Sequence, residues 1–332
     1  MDTLKSSDLK SILHSKRANM FYLEYCRVMQ KDGRVLYLTE ANKENLYFNI
    51  PIANTTVLLL GNGTSITQAA MRMLAQSGVL VGFSGGGGTP LFMANDVEQP
   101  IEWLTPQSEY RPTEYFQGWM SFWFDDEKRL TAAKMIQAAR IEFLTKIWGK
   151  DRELKQQGFE ISSLEKALTT FVQRTENATK QSELLLTEAQ LTKALYRCAA
   201  NATNTSDFTR QHQSTDLAND FLNHGNYLAY GLAATTLWVL GIPHGFAVMH
   251  GKTRRGALVF DIADLIKDAL VLPWAFICAK ENATEQEFRQ QILQVFTDQK
   301  ALDFMFDKVK EIALSEHGEY HDNDSNSEGK TS

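Results

Sequence analysis

The spacing of hydrophobic residues changes between residues 96 and 112, and this change limits the folds that the chain can adopt. Before it, short apolar runs are separated by turn residues such as Asp32-Gly33, which is typical of strands and hairpins. After it, apolar residues recur at helical spacing over long segments. Three of the seven prolines lie at the change: Pro100, Pro106 and Pro112. We therefore predict an α+β fold, in which a small β-rich domain (1–95) and a linker (96–112) precede a larger all-α domain (113–315).

The individual segments follow from the same patterns. We predict strands at 21–29, 35–38, 46–50, 56–60 and 79–83. One helix should interrupt them, beginning at Thr64 or Ser65 and ending at Gly78. Helices should follow at 114–148 with a break near Asp125, 162–174, 183–200, 216–240, 262–280 and 285–313. Ser162 and Glu165 have the spacing of a capping box at a helix start.

Two glycine-rich stretches favour turns over phosphate sites. Gly61 and Gly63 follow a predicted strand, but Ile66 stands where a dinucleotide-binding fingerprint needs its third glycine. We interpret this stretch as a structural turn, with a phosphate cradle as the alternative. Residues 85–88 are all glycine, but they lack the Gly-Lys-Ser/Thr ending of a P-loop, so we interpret them as a flexible loop.

Charge, cysteines and hydropathy indicate the cellular location that we expect for the chain. The formal net charge is −6, and residues 316–332 contribute five acids and one lysine to it. This polar stretch predicts a disordered acidic tail. The three widely spaced cysteines form neither a disulfide framework nor a zinc motif, which predicts a cytoplasmic protein. The uncharged run 227–242 is shorter than the roughly 20 residues of a membrane span, so we expect a buried helix and no membrane partner.

Glu188 interrupts the apolar stripe of a predicted helix. It lies at helical spacing from Leu184, Leu191 and Leu195, so its carboxylate should face the protein interior. A buried carboxylate needs a counter-charge, a proton or a metal ion, because its desolvation is costly. Taken alone, this helix favours a salt bridge to a core arginine or lysine over a metal site.

Three aspartates at helical spacing form a second feature, at positions 261, 264 and 268. This spacing places three carboxylates on one helix face, while apolar residues cover the other. Like charges this close repel one another unless water screens them or a divalent cation binds them. Taken alone, the run favours a solvated helix face over a metal site.

His250 and the cations that follow it form the third feature. Lys252, Arg254 and Arg255 make this the densest cationic cluster of the chain, just upstream of the aspartates. Cations beside carboxylates make sense if both face a phosphate, and an exposed loop of mixed charge is an equally good interpretation. Carboxylate and imidazole ligands suit Mg²⁺ or Mn²⁺ better than zinc, since no cysteine lies near.

Several long stretches of the sequence resemble one known family. They are LHSKRAN (13–19), NIPIANTT (49–56), LTPQSEYRPTEY (104–115) and HGKTRRGALVFDIADLIKD (250–268). On these stretches the chain resembles the CRISPR-associated adaptation integrases, the endonucleases numbered first among the CRISPR-associated proteins, and it looks closest to the type I-F branch. The resemblance extends from near the N-terminus to about residue 315.

The resemblance implies a set of catalytic residues in the helical domain. The family's metal ligands fall on Glu188, His250 and Asp264, and a second aspartate of the family falls on Asp261. Asp261 would orient a metal-bound water or act as a base. The residues implied to hold DNA phosphates are Lys252, Arg254, Arg255 and Lys267. A further helix motif of the family falls on Asp216, Asn219 and Tyr230.

The implied activity is the insertion of short foreign DNA into a CRISPR array by attack of a 3′-hydroxyl on a phosphodiester, with Mg²⁺ or Mn²⁺ as cofactor. The family works as a homodimer and with the second CRISPR adaptation protein, which we expect here as a fusion to the helicase–nuclease. Two alternatives remain: a general metal-dependent nuclease that acts on branched DNA, and an inactive DNA-binding scaffold that keeps the fold.

Overall fold

A computed structural model describes residues 19–41, 44–84, 102–104, 113–205, 208–211, 216–251 and 256–315. The strands of this part of the chain form two four-stranded sheets. The first sheet contains, in spatial order, β1 (Asn19–Leu23), β5 (Thr55–Leu60), β7 (Leu80–Phe83) and β8 (Glu102–Leu104). The second contains β4 (Glu44–Ile50), β3 (Arg34–Ala41), β2 (Arg27–Lys31) and β6 (Ser65–Ile66). β5 lies inside the first sheet, parallel to both neighbours, which explains why its residues are all buried.

The predicted strand 21–29 is in fact two strands that belong to different sheets. The chain turns at Tyr25, whose φ of +48° lies in the left-handed region that few residues other than glycine adopt. β1 therefore pairs with β5, while β2 forms a hairpin with β3. The predicted hairpin turn is confirmed, because Asp32 and Gly33 have φ values of +50° and +72°.

The helix among these strands begins later than predicted. This helix, α1, spans Gln68–Gln76, and its N-cap is Thr67, whose hydroxyl accepts a hydrogen bond from Ala70 N. Thr64 and Ser65 are therefore not its cap, and Ser65 belongs to β6. The turn at residues 61–63 leads into a strand rather than a helix, which agrees with a structural turn and not with a dinucleotide-binding fingerprint.

Beyond residue 104 the described residues form helices and the loops between them. The helices are α2 (Glu114–Trp123), α3 (Asp126–Lys150), α4 (Arg152–Gln156), α5 (Glu165–Asn177), α6 (Gln181–Thr203), α7 (Leu217–Leu240), α8 (Ala257–Ile266), α9 (Leu272–Lys280), α10 (Glu285–Asp298) and α11 (Ala301–Leu314). The predicted break near Asp125 is confirmed, since its carboxylate caps α3 by accepting from Glu127 N and Lys128 N. The order of elements confirms the predicted α+β fold.

Two long predicted helices are each interrupted. Segment 262–280 is divided among α8, a π-helical segment (Lys267–Val271) and α9. Segment 285–313 breaks at Lys300, whose φ is +53°. The predicted capping box is also wrong, because residues 161–164 form a 3₁₀ turn and the Ser162 hydroxyl donates to Glu160. Apolar spacing does not reveal these interruptions, because it continues across them.

The first sheet lies between two cores, and its strands alternate between them. Leu58 and Leu60 of β5 pack with the second sheet and α1. Val57 and Leu59 face the other way and pack with partly buried residues of the helices, among them Trp238. The largest core lies among the helices and surrounds the buried charged residues that form the candidate site.

The structure describes only a small part of the segment in which we placed the domain boundary. Residues 102–104, which we assigned to the linker, form β8 and pair with β7. The rest of the linker, the glycine stretch 85–88 and the acidic tail 316–332 lie outside the described residues, so the boundaries stay predictions. The run 227–242 belongs mainly to α7, which is largely buried. None of the described helices has the length and apolar character needed to cross a membrane.

Candidate metal centre

Glu188 lies on α6 in the position that the sequence predicts. Leu184, Leu191 and Leu195 on the same stripe are buried, and the Glu188 side chain is 15% exposed. Its carboxylate therefore points towards the helical core with one edge open to solvent. The salt bridge to a core arginine is present, because Glu188 pairs with the buried Arg140, and Glu188 also approaches two other candidate ligands.

Asp261 and Asp264 lie on α8 and are almost completely buried, with exposures of 0% and 1%. The solvated helix face that the acidic run favoured is therefore wrong for these two residues. Asp268 lies beyond α8 in the π-helical segment, where its side chain is 13% exposed and pairs with Arg140. Each of the three aspartates has a different environment, although their spacing suggested one shared face.

His250 lies near the end of the described loop 241–251, which follows α7, and Asp261 of α8 holds it there. One Asp261 oxygen, Oδ1, is 2.6 Å from His250 Nδ1 and accepts from His250 N, while Oδ2 accepts from Val248 N and Met249 N. Since the carboxylate accepts at Nδ1, we assign a proton to this nitrogen, so that Nε2 is the ligand atom once the ring is neutral. Burial lowers the pKa of His250, but the hydrogen bond with Asp261 and the charge of Asp264 outweigh this and raise it to about 8.

Two tryptophans of α2 hold the carbonyl groups of the same loop. Trp119 Nε1 donates to Phe246 O at 3.0 Å, and Trp123 Nε1 donates to Ala247 O at 2.8 Å. The loop is therefore fixed through its carbonyls on one side and through its amides on the other. These contacts fix the loop just before His250, although nothing in the apolar spacing of α2 pointed to them.

The three candidate ligands converge. One ligand atom from each of Glu188, His250 and Asp264 lies within 4.8 Å of the other two. His250 Nε2 is 3.6 Å from Glu188 Oε2, so the nitrogen that Asp261 leaves free faces the carboxylate of α6. Two carboxylates and one imidazole at these distances can surround a single divalent cation.

Two cations border this cluster, the buried Arg140 of α3 and Lys267, whose side chain is 20% exposed. Arg140 Nη1 donates to Glu188 Oε1 at 3.0 Å. Lys267 Nζ is 2.5 Å from Asp264 Oδ1 and 5.4 Å from the centre of the Tyr230 ring. Burial lowers the pKa of both cations, but the surrounding carboxylates outweigh it and raise both values above their ordinary ones. Both residues therefore stay charged.

The same cations act differently on the two acidic ligands. Burial raises the pKa of Glu188 to about 7, and the negative charge of Asp264 adds to this. Burial also raises the pKa of Asp264, but Lys267 and Arg140 outweigh it and bring the value to about 2. Asp264 is therefore ionised at neutral pH, whereas Glu188 is near its midpoint until a further cation neutralises the cluster.

The cluster has the composition that a divalent cation requires. Both side-chain oxygens of Asp264 are buried; Oδ1 pairs with Lys267 Nζ, whereas Oδ2 has no partner among the described residues. When Glu188 is ionised and His250 is neutral, as metal binding requires, four carboxylates face two permanent cations: Glu188, Asp261, Asp264 and Asp268 against Arg140 and Lys267. A doubly charged ion would balance this excess, so the residues present fit Mg²⁺ or Mn²⁺.

The structure brings together four of the predicted site residues and leaves others undescribed. Glu188, His250, Asp261 and Asp264 form one cluster, with Lys267 paired to Asp264. The predicted DNA-binding residues 252, 254 and 255 lie outside the described residues. Asn219, part of the helix motif, is buried and accepts from Arg210, so it fixes the segment before α7. The sequence analysis did not identify Arg140.

An open groove of about 870 Å³ begins beside Glu188 and follows α6. Its lining includes three cations and two aromatic rings: Lys193, Arg197, Arg210, Tyr196 and Phe208. Positive charge beside an aromatic ring suits a nucleic-acid strand, because phosphates and bases can be contacted together.

Known proteins share this arrangement of elements. The model of one family, CRISPR associated protein Cas1, matches residues 21–311. The CRISPR-associated endonuclease Cas1 of Pseudomonas aeruginosa (strain UCBPP-PA14) is 57% identical over 317 residues, which cover 94% of this chain and 98% of the relative. A Cas1 protein from Thermotoga maritima superposes with a TM-score of 0.65 at 16% identity, covering 91% of this chain and 98% of that structure. The TtCas1–DNA complex gives a TM-score of 0.59 at 21% identity, with 89% and 91% covered. These two structures share the fold.

Proposed function

The chain belongs to the family of CRISPR associated protein Cas1, and from this premise we propose that it is a metal-dependent DNA endonuclease and integrase of CRISPR adaptation. It would insert short foreign DNA into a CRISPR array. The observation that carries the proposal is the convergence of Glu188, His250 and Asp264, with the Asp264 oxygens buried and Oδ2 without a partner among the described residues.

Each residue of the site has its own task in the proposed reaction. Glu188, Asp264 and His250 Nε2 would hold Mg²⁺ or Mn²⁺, which when bound polarises the attacked phosphate and lowers the pKa of the attacking hydroxyl. The 3′ oxygen of the incoming DNA forms a bond to phosphorus as the bond from phosphorus to the 3′ oxygen of the cut strand breaks. The hydroxyl proton leaves the attacking oxygen, and the leaving oxygen gains a proton. The protein contributes mainly orientation and electrostatics.

Asp261 would position His250 rather than move a proton. Both of its oxygens accept hydrogen bonds from the histidine loop, and its side chain is fully buried. A base must reach the proton that it removes, directly or through one water. We therefore assign Asp261 to holding the Nδ1 tautomer of His250, in preference to the base that the sequence left open.

DNA would contact two groups of cations. Lys252, Arg254 and Arg255 directly follow the His250 loop in sequence, and the groove along α6 begins beside Glu188. Phosphate contacts of this kind make binding weaken steeply as salt increases. Lys267 already pairs with Asp264, so its contact with a phosphate stays a prediction.

The proposed assembly is a homodimer that supplies one active site for each DNA end. Its further partner would be the second CRISPR adaptation protein, fused to the helicase–nuclease. The family membership and the sequence stretches that suggest the type I-F branch support this assembly. The structural likeness to a protein solved with DNA supports DNA as the substrate.

The proposal is tested by half-site integration of a labelled short duplex into a plasmid that carries the repeat, with the co-encoded partner present. Wild-type protein should form joined products that require Mg²⁺ or Mn²⁺ and disappear with EDTA. Glu188→Ala should form none, while Glu183→Ala, an exposed acid on the same helix, should act like wild type. Integration by a folded Glu188→Ala protein would contradict the proposal.

Two further measurements, cleavage of branched DNA and binding of Mn²⁺, separate the alternatives. Metal-dependent cleavage of branched DNA without integration would identify a general nuclease. An absence of Mn²⁺ binding, with DNA binding retained, would identify a scaffold.

A further inference from the structure

A buried arginine on α3 connects two of the elements that carry candidate ligands. Arg140 is 2% exposed. Its Nη1 donates to Glu188 Oε1 of α6 at 3.0 Å. On its other side, Nε donates to Asp268 Oδ2 at 2.7 Å, and Nη2 lies 2.5 Å from the same oxygen. Asp268 belongs to the π-helical segment that directly follows α8, so one guanidinium spans α6 and the continuation of α8.

The contact with Arg140 determines which oxygen of Glu188 is available. Arg140 engages Oε1, and Oε2 faces His250 Nε2 at 3.6 Å. A glutamate side chain has several rotatable bonds, and ordering it in one conformation costs conformational entropy. The planar guanidinium of Arg140 already holds Oε1, so the Glu188 side chain would lose less conformational entropy when a metal ion binds.

Arg140 is itself held from both directions. Asp268 contacts two of its nitrogens, and Gln137 Oε1 accepts from Nη1 at 3.3 Å. Gln137 in turn donates to the sulfur of Met249, the residue before His250. Farther along α3, Trp148 Nε1 donates to Ala269 O, which fixes the segment that carries Asp268. α3 thus contacts the surroundings of all three candidate ligands.

We propose that Arg140 is a positioning residue, which together with Asp268 holds the Glu188 carboxylate with Oε2 directed at the metal. This inference rests on the proposed metal dependence. Arg140 touches neither DNA nor metal in this role and acts only through Glu188. Asp268 is then the anchor of Arg140 rather than a ligand.

A merely structural salt bridge makes a different prediction. A structural pair stabilises the fold, so its loss lowers the melting temperature and leaves the metal affinity of the surviving folded protein unchanged. A positioning pair also changes the affinity for metal. Residues that orient metal ligands typically change metal affinity by about 10- to 100-fold when they are replaced.

The experiment measures Mn²⁺ binding to the full chain by isothermal titration calorimetry, together with the melting temperature of each metal-free variant. Arg140→Lys keeps a positive charge but loses the planar fork, and it should weaken Mn²⁺ binding by about 10-fold or more. Arg140→Gln should weaken it further. Asp268→Asn keeps Arg140 but weakens its anchor, so we expect a smaller loss in the same direction.

Arg129 provides the matched control. It is the other buried arginine among the described residues of α3, with 3% exposure, and it contacts Trp123 O and Asp126 instead of a candidate ligand. Arg129→Lys should lower the melting temperature and weaken Mn²⁺ binding by a few-fold at most, because it reaches the histidine loop only through Trp123 and does not contact Glu188.

The outcomes separate this inference from the function on which it rests. Wild-type protein that binds no Mn²⁺ overturns both. Wild-type binding together with unchanged affinity in Arg140→Lys overturns the positioning role alone, because charge would then suffice. Equal weakening by Arg129→Lys also overturns it, since the effect would be general. If Arg140→Gln does not fold, Arg140→Lys and Asp268→Asn decide the question.

Discussion

The two acidic candidate ligands and the histidine candidate ligand are held by different kinds of contact. Glu188 and Asp264 lie on helices and pair with permanent cations, Arg140 and Lys267. His250 ends a loop that is held by directed hydrogen bonds, from tryptophan N–H groups to its carbonyls and from its amides to Asp261. We refer to these as the acidic side and the loop side of the candidate metal centre.

The difference lies in what each kind of contact responds to. Ion pairs depend weakly on angle but strongly on the number of charges, so the acidic side should respond to pH and to bound cations. Hydrogen bonds depend on angle and distance, so the loop side should respond to small changes of shape. Helices hold their own backbone in place, whereas a loop needs side chains to do so, which explains why the tryptophans lie on the loop side.

The largest effect is expected on the acidic side. Asp264→Ala removes a ligand and leaves Lys267 unpaired, so Mn²⁺ binding should fall at least about a hundredfold and strand transfer should disappear with it. Calorimetry and the integration assay measure the two losses, and circular dichroism shows whether the protein is folded. Asp307→Ala, an exposed acid of α11, is the control. Wild-type metal affinity in folded Asp264→Ala protein would remove the acidic side from the site.

The next effect tests how the loop side depends on its carboxylate. Asp261→Asn places an amide where four hydrogen bonds are accepted, so at least one N–H donor of the loop loses its partner. Mn²⁺ affinity should fall by about 10- to 100-fold, and calorimetry measures this. If metal affinity stayed at the wild-type value while strand transfer was lost, Asp261 would be a base and not a positioning residue.

A smaller effect tests whether the loop side is more sensitive than the acidic side to a small change of shape. Trp123→Phe removes one N–H that donates to Ala247 O, which should lower the free energy of unfolding by about 1 kcal/mol and weaken Mn²⁺ binding a few-fold. Trp148→Phe removes a comparable N–H, which donates to Ala269 O beside the acidic side. It should lower stability similarly but leave metal affinity nearly unchanged. Equal weakening by both variants would show that the two sides do not differ in sensitivity to shape.

The smallest effect is a change of stability with pH in the metal-free protein. The pKa of Glu188 is raised to about 7 and that of His250 to about 8, so both groups bind protons more tightly in the folded than in the unfolded state. Their contribution to the free energy of unfolding is present at low pH and is lost as pH rises through these pKa values. Asp264, with its pKa near 2, does not titrate in this range. The melting temperature in EDTA should therefore fall from pH 6 to pH 8, and Glu188→Gln should flatten the change. A rising melting temperature would contradict the assignment.

Much of the acidic side could be predicted from sequence because helical spacing reports which residues share a face. A carboxylate among leucines gave Glu188 its position, and the same reasoning applies to Arg140, which lies one turn from the buried Ile136 and Leu144. The helical spacing of Arg140 thus indicates a buried position for it. The pairing of Arg140 with Asp268 could not be predicted, since it depends on the π-helical segment, which leaves no mark in the apolar spacing.

The loop side was harder to predict because its contacts join residues far apart in sequence. Trp119 and Trp123 contact carbonyls more than a hundred residues away, and backbone carbonyls carry no sequence signal. His250 was identified only through the cations beside it and through the family resemblance. Among the strands, the turn at Tyr25 escaped prediction for a related reason: its backbone N–H bonds to Asn62 O, far along the chain, and tyrosine itself does not favour a positive φ.

With the proposed metal bound, the excess of carboxylates over cations around Asp264 would link folding to the supply of free metal. An ion that binds the folded chain and not the unfolded one stabilises it in proportion to the logarithm of its concentration, by about 2.7 kcal/mol at one hundred times the dissociation constant. The abundance of folded enzyme in a cell would then follow the local manganese or magnesium level. A melting curve recorded without any DNA would serve as a gauge of how fully the centre is loaded.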